Sequence, residues 1–538
     1  PRSARATPGN ASATVRFGAS LSNNGSAITG YYVTPYVANV AQTPRVFKPT
    51  VTTATLGGLA NAKTYTFKVA SKNARGTSTQ SSASVTVGAP TVPTHVTDRR
   101  SGASATTRWS APSSANGSSI TGYKIGVYLA GVFQHDVHFG STATSETVVG
   151  LKSAGAYAFR IAAQNARGFG PSSELSCVLM GVGQADIDAQ PAGTRFCLSG
   201  THDWTLTPKS GDTLMGPVVL DGSNRRLFAV VAADGVNNVT LSRLEIRNYV
   251  AGDARGAIHT PGPLLATRWT LDDLRVHDIG NGTTDGAGVE LGVGWRVVGG
   301  RYFNTRQEGL TAGGGARDIV VDGAELDHND FTDDSYTTRS HSCGDEAGGF
   351  KFVAADVTVR NSKIHDNACS GLWSDLSSNN LTITNDVLAN NWEQGVILEI
   401  SGAATISDNI VTGNGFHMQN ANNNGCGWGW GGGITLSTSG QTHTSNGPID
   451  ISFNDVEGNC NGITGVDQYR NEHNCSGTPK CELAHIRIHD NRVVGSTVPG
   501  APNMTGAWQD DHDNLATHDI TFARNTFARG ANLCGVTC

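Results

Sequence analysis

The sequence predicts an all-β chain in which two small β-sandwiches precede a parallel β-helix. Three observations carry this. Of 538 residues only 16% are charged and 67 are glycine, a composition suited to short strands and tight turns rather than helices with charged outer faces. A front block is repeated at an offset of 92 residues. Behind it, nine short units share one glycine-based frame.

The front duplication rests on matched landmarks. ITGY occurs at 28–31 and again at 120–123, NARG at 73–76 and 165–168, and Tyr65 and Phe17 are matched by Tyr157 and Trp109. Both copies alternate apolar and polar residues, as in TYTFKVASKN and AYAFRIAAQN, between Gly/Ser/Asn clusters. This predicts antiparallel sandwiches over 1–90 and 91–181. The aromatic at 17 or 109, the set Leu59, Tyr65 and Phe67 with its counterpart Leu151, Tyr157 and Phe159, and the NARG turn resemble fibronectin type III domains. That resemblance implies spacer or adhesive modules. Neither copy concentrates carboxylates, His or Cys, so chemistry is not expected here. Tyr32, Tyr36 and Phe133 are candidate contacts for a cell-surface or matrix glycan.

Over 182–538 Asn and Gly become more frequent and the repeats shorten. The glycine-led strands are GAIHT (256), GVELG (288), GLTAG (309), GFKFV (349), GLWSD (371), GVILE (395), GITLS (433), GITGV (462) and GAWQD (506). Before each lies another strand, as in DVTVRNSKIHDN or LTITNDVLANN, ending in Asn or Asp. These residues tolerate the left-handed conformation of a sharp corner. Asn361, Asn385 and Asn409, spaced by 24, are expected to be structural corner residues. A unit this short cannot bury its apolar residues alone, so successive units must stack.

The ladder resembles the right-handed parallel β-helix family, which includes pectate lyases and polygalacturonases. Residues 196–222, FCLSGTHDWTLTPKSGDTLMGPVVLDG, resemble the N-terminal opening rung of secreted bacterial members. The resemblance implies a polysaccharide-cleaving enzyme. It transfers no catalytic residue, because the family's motif is not matched position by position.

Strand alternation turns the frame into an orientation. One and three residues after the glycine the side chains are mostly apolar or small, so both rows are expected to face the interior; His259 falls on the second and reads as a core residue. The rows two and four residues after the glycine are expected to face solvent. There Asp375 and Glu399 stand 24 residues apart, with Lys351 and Trp373 beside them and Glu290 and Trp508 further along. Neighbouring rungs lie about 4.8 Å apart, so the two carboxyl groups are expected on the order of 5 Å from each other. Each then raises the other's proton affinity.

Paired carboxyl groups suit glycosidic-bond hydrolysis, one as acid and the other as nucleophile or base. Asp375 and Glu399 are the expected catalytic pair, tuned by Lys351, while Trp373 stacks on a sugar ring. Further candidate substrate contacts are Glu346 in a loop, Asp467 at a strand end, Asp510 and Asp511 in WQDDHD, and Trp428 and Trp430 in CGWGWGGG. Two other readings stay open. One is a polysaccharide lyase with Lys351 as base; the other is a non-enzymatic surface adhesin or filament protein whose acids sit on a solvated face. Hydrolysis requires no cofactor, and calcium is a candidate for the pair or for Asp510, Asp511 and Asp513.

The net charge of −6, without any Lys/Arg-rich run, argues against nucleic acid as a partner. No apolar stretch approaches the roughly 20 residues of a membrane span. Ten cysteines without paired CxxC spacing predict disulfides and an oxidising compartment. The shortest loops would pair Cys475 with Cys481, Cys534 with Cys538, Cys343 with Cys369, and Cys426 with Cys460. With a start at Pro1, a processed and secreted chain is expected.

Overall fold

The computed structural model describes all residues except 21, 24, 153–154, 253–254, 263, 282–284, 331–347, 377, 417–430, 442–446, 468–481, 499–500, 502, 510–517, 529–530 and 536–538. The chain divides into two compact units, Pro1–Leu179 with Thr194–Cys197, and Met180–Gly193 with Leu198–Cys538.

The first unit holds the duplicated sandwiches, and equivalent residues do equivalent work in each. The core aromatics Phe17 and Tyr31 pack at 4.9 Å between ring centroids, as do Trp109 and Tyr123 in the second copy. The Tyr65 hydroxyl accepts the Ala60 N–H at 3.2 Å, and the Tyr157 hydroxyl accepts that of Lys152 at 3.3 Å. Asn73 and Asn165 close the two NARG turns by accepting the N–H groups of Arg75 and Arg167, both at 2.9 Å. A disulfide joins Cys177 to Cys197.

The second unit is a coil of parallel strands, three to most turns. Glycine-led strands such as Ser370–Ser374 and Val396–Glu399 pair in register along one sheet. Strands such as Leu381–Thr384 and Ala404–Ser407 make the second, and Val387–Ala389 and Ile410–Thr412 belong to the third. Inside the coil one aliphatic column runs Leu241, Leu271, Val297, Val321, Val359, Ile383, Ile406, Ile451 and Ile488, each residue in register with the next. Such side chains contribute about 1.5–3 kcal/mol each when fully buried. Trp269 and Trp295 stack in the core at 4.9 Å.

Buried amides reinforce the stack. Asn329, Asn367, Asn391, Asn414 and Asn459 form a ladder in which each Nδ2 donates to the next Oδ1 at 2.8–2.9 Å. A second ladder runs Asn409, Asn454, Asn491 and Asn525 at 2.9–3.0 Å. This corrects one expected corner residue. Asn361 and Asn385 are left-handed corners with φ of 55° and 59°, whereas the next corner is Asp408 at φ 60°. That coil is one residue shorter, which moves Asn409 inside.

Candidate active site

The glycine frame holds in the middle of the first sheet and slips at both ends. Gly256 pairs with Ala287 and Ile258 with Val289, so strand pairing follows the buried Ile258 and Val289 rather than the glycines. His259 therefore belongs to the outer row, not the interior. Its Nδ1 lies 2.6 Å from Glu290 Oε2, and Phe228 stacks on its ring at 4.3 Å. At the other end Gly506 pairs with Thr464 and Trp508 with Val466, which puts Trp508 in Glu399's row.

The outer row then reads His259, Glu290, Thr311, Lys351, Trp373, Ile397, Thr435 and Thr464. It was expected to face solvent, and it does not: Thr311, Lys351, Ile397, Thr435 and Thr464 are all buried. The row's members satisfy one another. Thr435 and Thr464 hydroxyls meet at 3.1 Å, and the cation of Lys351 is taken up by its neighbours on the next rung.

Those neighbours are the residues expected to carry chemistry. Lys351 Nζ lies 3.5 Å from Asp375 Oδ2 and 3.9 Å from the centroid of the Trp373 ring. Trp373 Nε1 donates to Glu399 Oε2 at 3.1 Å. Asp375 and Glu399 follow Ser374 and Leu398, which pair in register, and each carboxylate turns back toward the preceding rung. The four side chains thus form one chain of contacts across three rungs. Leu376 at φ 44° and Ile400 at φ 46° follow the two acids. A left-handed conformation is costly for residues of this kind, and the packing of Leu376 against buried Ile400 offsets the cost. Asp375 Oδ1 also accepts the Leu376 N–H at 2.7 Å.

One further acid was missed. Glu393 lies two residues before Gly395, outside the five-residue frame, with Oε2 3.5 Å from the Ser370 hydroxyl. Burial pushes its carboxyl group up to about 7; the charge of Asp330 adds to this, the Ser370 contact opposes it, and Glu399 adds to it again. Asp330 is itself buried. The signal for Glu393 was an acid two residues before the frame glycine, where other coils carry Gly286, Gln307, Cys369, Gly431 and Cys460.

Glu346, Trp428, Trp430, Asp510 and Asp511 lie outside the described residues, as does Asp513. Asp467 and Trp508 sit on the strands Asn461–Asp467 and Met504–Gln509, with their side chains also outside them. Cys369 and Cys460 are disulfide-bonded. Their expected partners Cys343 and Cys426, and the pairs Cys475 with Cys481 and Cys534 with Cys538, fall outside the described residues or their side chains.

Among the described residues one group could offer a cation three ligands: Glu325, Asp327 and His365, with ligand atoms within 4.8 Å of one another. Arg301 already grips Asp327 through Nε at 2.7 Å and Nη2 at 2.5 Å. The Arg301 guanidinium thus occupies the carboxylate. No described helix is long and apolar enough to cross a membrane.

These features define a modular chain, two fibronectin type III domains followed by a right-handed β-helix. Residues 1–87 and 88–177 match the family model of the fibronectin type III domain, and residues 265–449 that of the right handed beta helix region. A stretch of 172 residues is 34% identical to endoglucanase B of Cellulomonas fimi, covering 29% of this chain and 16% of that protein. Among solved structures, the chicken CNTN1 FN1-FN3 domains match at 22% identity over 32% of this chain and 65% of that one, with a TM-score of 0.16. A two-domain fibronectin type III segment from chicken tenascin matches at 15% identity over 32% of this chain and 95% of that one, also with a TM-score of 0.16.

Proposed function

We propose that the β-helix hydrolyses a glycosidic bond in a polysaccharide, with Asp375 and Glu399 as its two catalytic carboxyl groups. The supporting observation is the contact chain Asp375, Lys351, Trp373, Glu399 on consecutive rungs. Hydrolysis needs a proton for the leaving oxygen and a carboxylate to attack or to activate water. Asp375, ion-paired with Lys351, takes the carboxylate role. Glu399, oriented by the Trp373 N–H and close to the charge of Glu393, takes the acid role. Their low exposure strengthens every electrostatic contact in the site. Trp373 gives one ring face to Lys351, so its first task is positioning.

A polysaccharide substrate is supported by the β-helix region and by the name of the endoglucanase relative, although the chain spans only 16% of that protein. The disulfide and the fibronectin type III domains support an extracellular location. The lyase reading gains nothing from Lys351, which is engaged by Asp375 and Trp373.

The test is release of reducing ends from a panel of polysaccharides by the purified chain and by its Glu399→Gln and Asp375→Asn variants. Each variant is expected to lose at least a hundredfold in kcat, as removal of a positioned acid or base does (roughly 10²–10⁴). Undiminished hydrolysis in Glu399→Gln would overturn the site. A product absorbing in the ultraviolet would instead indicate a lyase.

A further inference from the structure

We propose that the cleft between the two fibronectin type III modules binds an acidic polysaccharide, its carboxylate or sulfate groups held by Arg5, Arg16 and Arg160. The cleft has a volume of about 920 Å³. This lies within the range of ligand-binding clefts, roughly 300–1,000 Å³. One wall comes from the first module through Arg5, Thr14 and Arg16, the other from the second through His95, Arg160 and Glu174.

The walls are held in fixed relation. Asn116 Nδ2 donates to Pro8 O at 2.9 Å, Asn165 Nδ2 to Gly88 O at 3.0 Å, and Arg167 Nη1 to Asn10 Oδ1 at 3.0 Å. A Cβ on Gly170 would stand 2.1 Å from Pro90 O, so the second module sits directly on the linker. The second NARG turn is thus a docking element, and the space beside it is built.

Its charge is one-sided in a chain whose net charge is −6. Among the described residues Glu174 is the one carboxylate lining it, and it pairs with Arg5 only at 3.6 Å between exposed groups. Such a pair contributes little, about 0–1 kcal/mol. Arg16 has no ion-pair partner among the described residues; Arg160 Nε is buried with no hydrogen-bond acceptor, and its guanidinium lies 5.5 Å from the centroid of the Tyr128 ring, a contact that leaves its charge without a carboxylate. Arg195 stands near the same charges: burial holds its guanidinium below the usual arginine range, Glu174 counters this and Arg160 adds to it. Arginine forks match planar carboxylates and sulfates bidentately, and a linear acidic glycan presents such groups along its length. The aromatic route is closed by comparison, because Lys72 and Lys68 lie over the rings of Tyr32 and Tyr36.

Calorimetric titration of the full chain tests this with three probes: an oligogalacturonate bearing carboxylates, a heparin oligosaccharide bearing sulfates, and a neutral cello-oligosaccharide. An acidic probe is expected to bind with an affinity that falls as salt is raised, and the stronger of the two identifies the preferred anion. Arg16→Glu and Arg160→Gln should each weaken binding about tenfold or more. Arg16 is exposed, so its variant decides the matter even if Arg160→Gln fails to fold. The proposal does not depend on the hydrolase reading. Failure of both acidic probes to bind, equal binding of the neutral probe, or unaltered affinity in Arg16→Glu would each overturn it.

Discussion

Trp373 donates its indole N–H to Glu399 at 3.1 Å while carrying Lys351 Nζ 3.9 Å from the centroid of the same ring. One aromatic side chain therefore orients an acid through its edge and holds a cation on its face. Trp373→Phe separates the two tasks, keeping a ring for Lys351 and removing the donor. As Glu399 gives up its proton the bond comes to reach a charged group, which is worth about 1.5–3 kcal/mol, so kcat should fall about tenfold or more with little change in thermal stability. A rate within twofold of the parent would take Trp373 out of the site.

The ion pair between Lys351 and Asp375 links two side chains that are 5% and 13% exposed. Removing one partner of a buried pair costs roughly 3–5 kcal/mol, largely because the other charge is stranded. Lys351→Met should therefore destabilise the chain more than the double variant Lys351→Met with Asp375→Asn. Urea denaturation of the parent, both singles and the double gives the coupling. Strictly additive losses would mean that the pair is not a unit.

Glu393 predicts the pH dependence of the reaction. Burial first, then Asp330, raise its carboxyl group to about 7, so it is neutral below that pH and negative above it. The charge beside Glu399 thus appears as pH rises through 7. The expected profile of kcat/KM has a limb near pH 7, and Glu393→Gln should abolish it. A profile identical to the parent's would show that Glu393 does not govern it.

Alternation and stacking made the coil legible, because an apolar residue one step after each glycine has nowhere to go but inside. Asp375, Glu399, Lys351 and Trp373 came to one place for the same reason: the frame is true where the coils are regular. It failed at Gly256, where pairing followed the buried Ile258 and Val289, and at Gly506, which pairs with Thr464, two residues after the frame glycine Gly462. The burial of Lys351 and Thr435 was not legible either, since alternation gives the direction of a side chain and says nothing of what else packs there. Glu393 and Asp330 lie at corners, where no period applies.

Asp386 carries the last prediction. It occupies a position equivalent to Asn409, Asn454, Asn491 and Asn525 in the second amide ladder, and it is buried. Its Oδ1 accepts the Ser362 N–H at 2.7 Å, as Asn409 Oδ1 accepts the Asp386 N–H at 2.9 Å. In Asn409 the Nδ2 donates to Ile383 O at 3.0 Å and to Asn454 Oδ1 at 2.9 Å. The matching atom of Asp386 is Oδ2, which makes no hydrogen bond as an acceptor. By register its counterparts are the Val359 carbonyl and Asn409 Oδ1, both acceptors. An oxygen placed there needs a proton. Burial raises the group to about 7, the backbone N–H groups of Ser362 and Thr384 oppose this, and Asp322 adds to it. Asp322 is itself neutralised by Arg360 at 2.8 Å. The sign follows from proton binding. Between the unfolded value of 3.8 and about 7 the folded chain holds the extra proton, so stability falls as pH rises across that window and the loss is complete above it. Asp386→Asn supplies the missing donor and removes the penalty. The variant and the parent should have closely similar stabilities below pH 4, and by pH 8 the variant should be more stable by on the order of 3 kcal/mol in urea denaturation. A gap that does not change with pH would show that Asp386 does not titrate in this window.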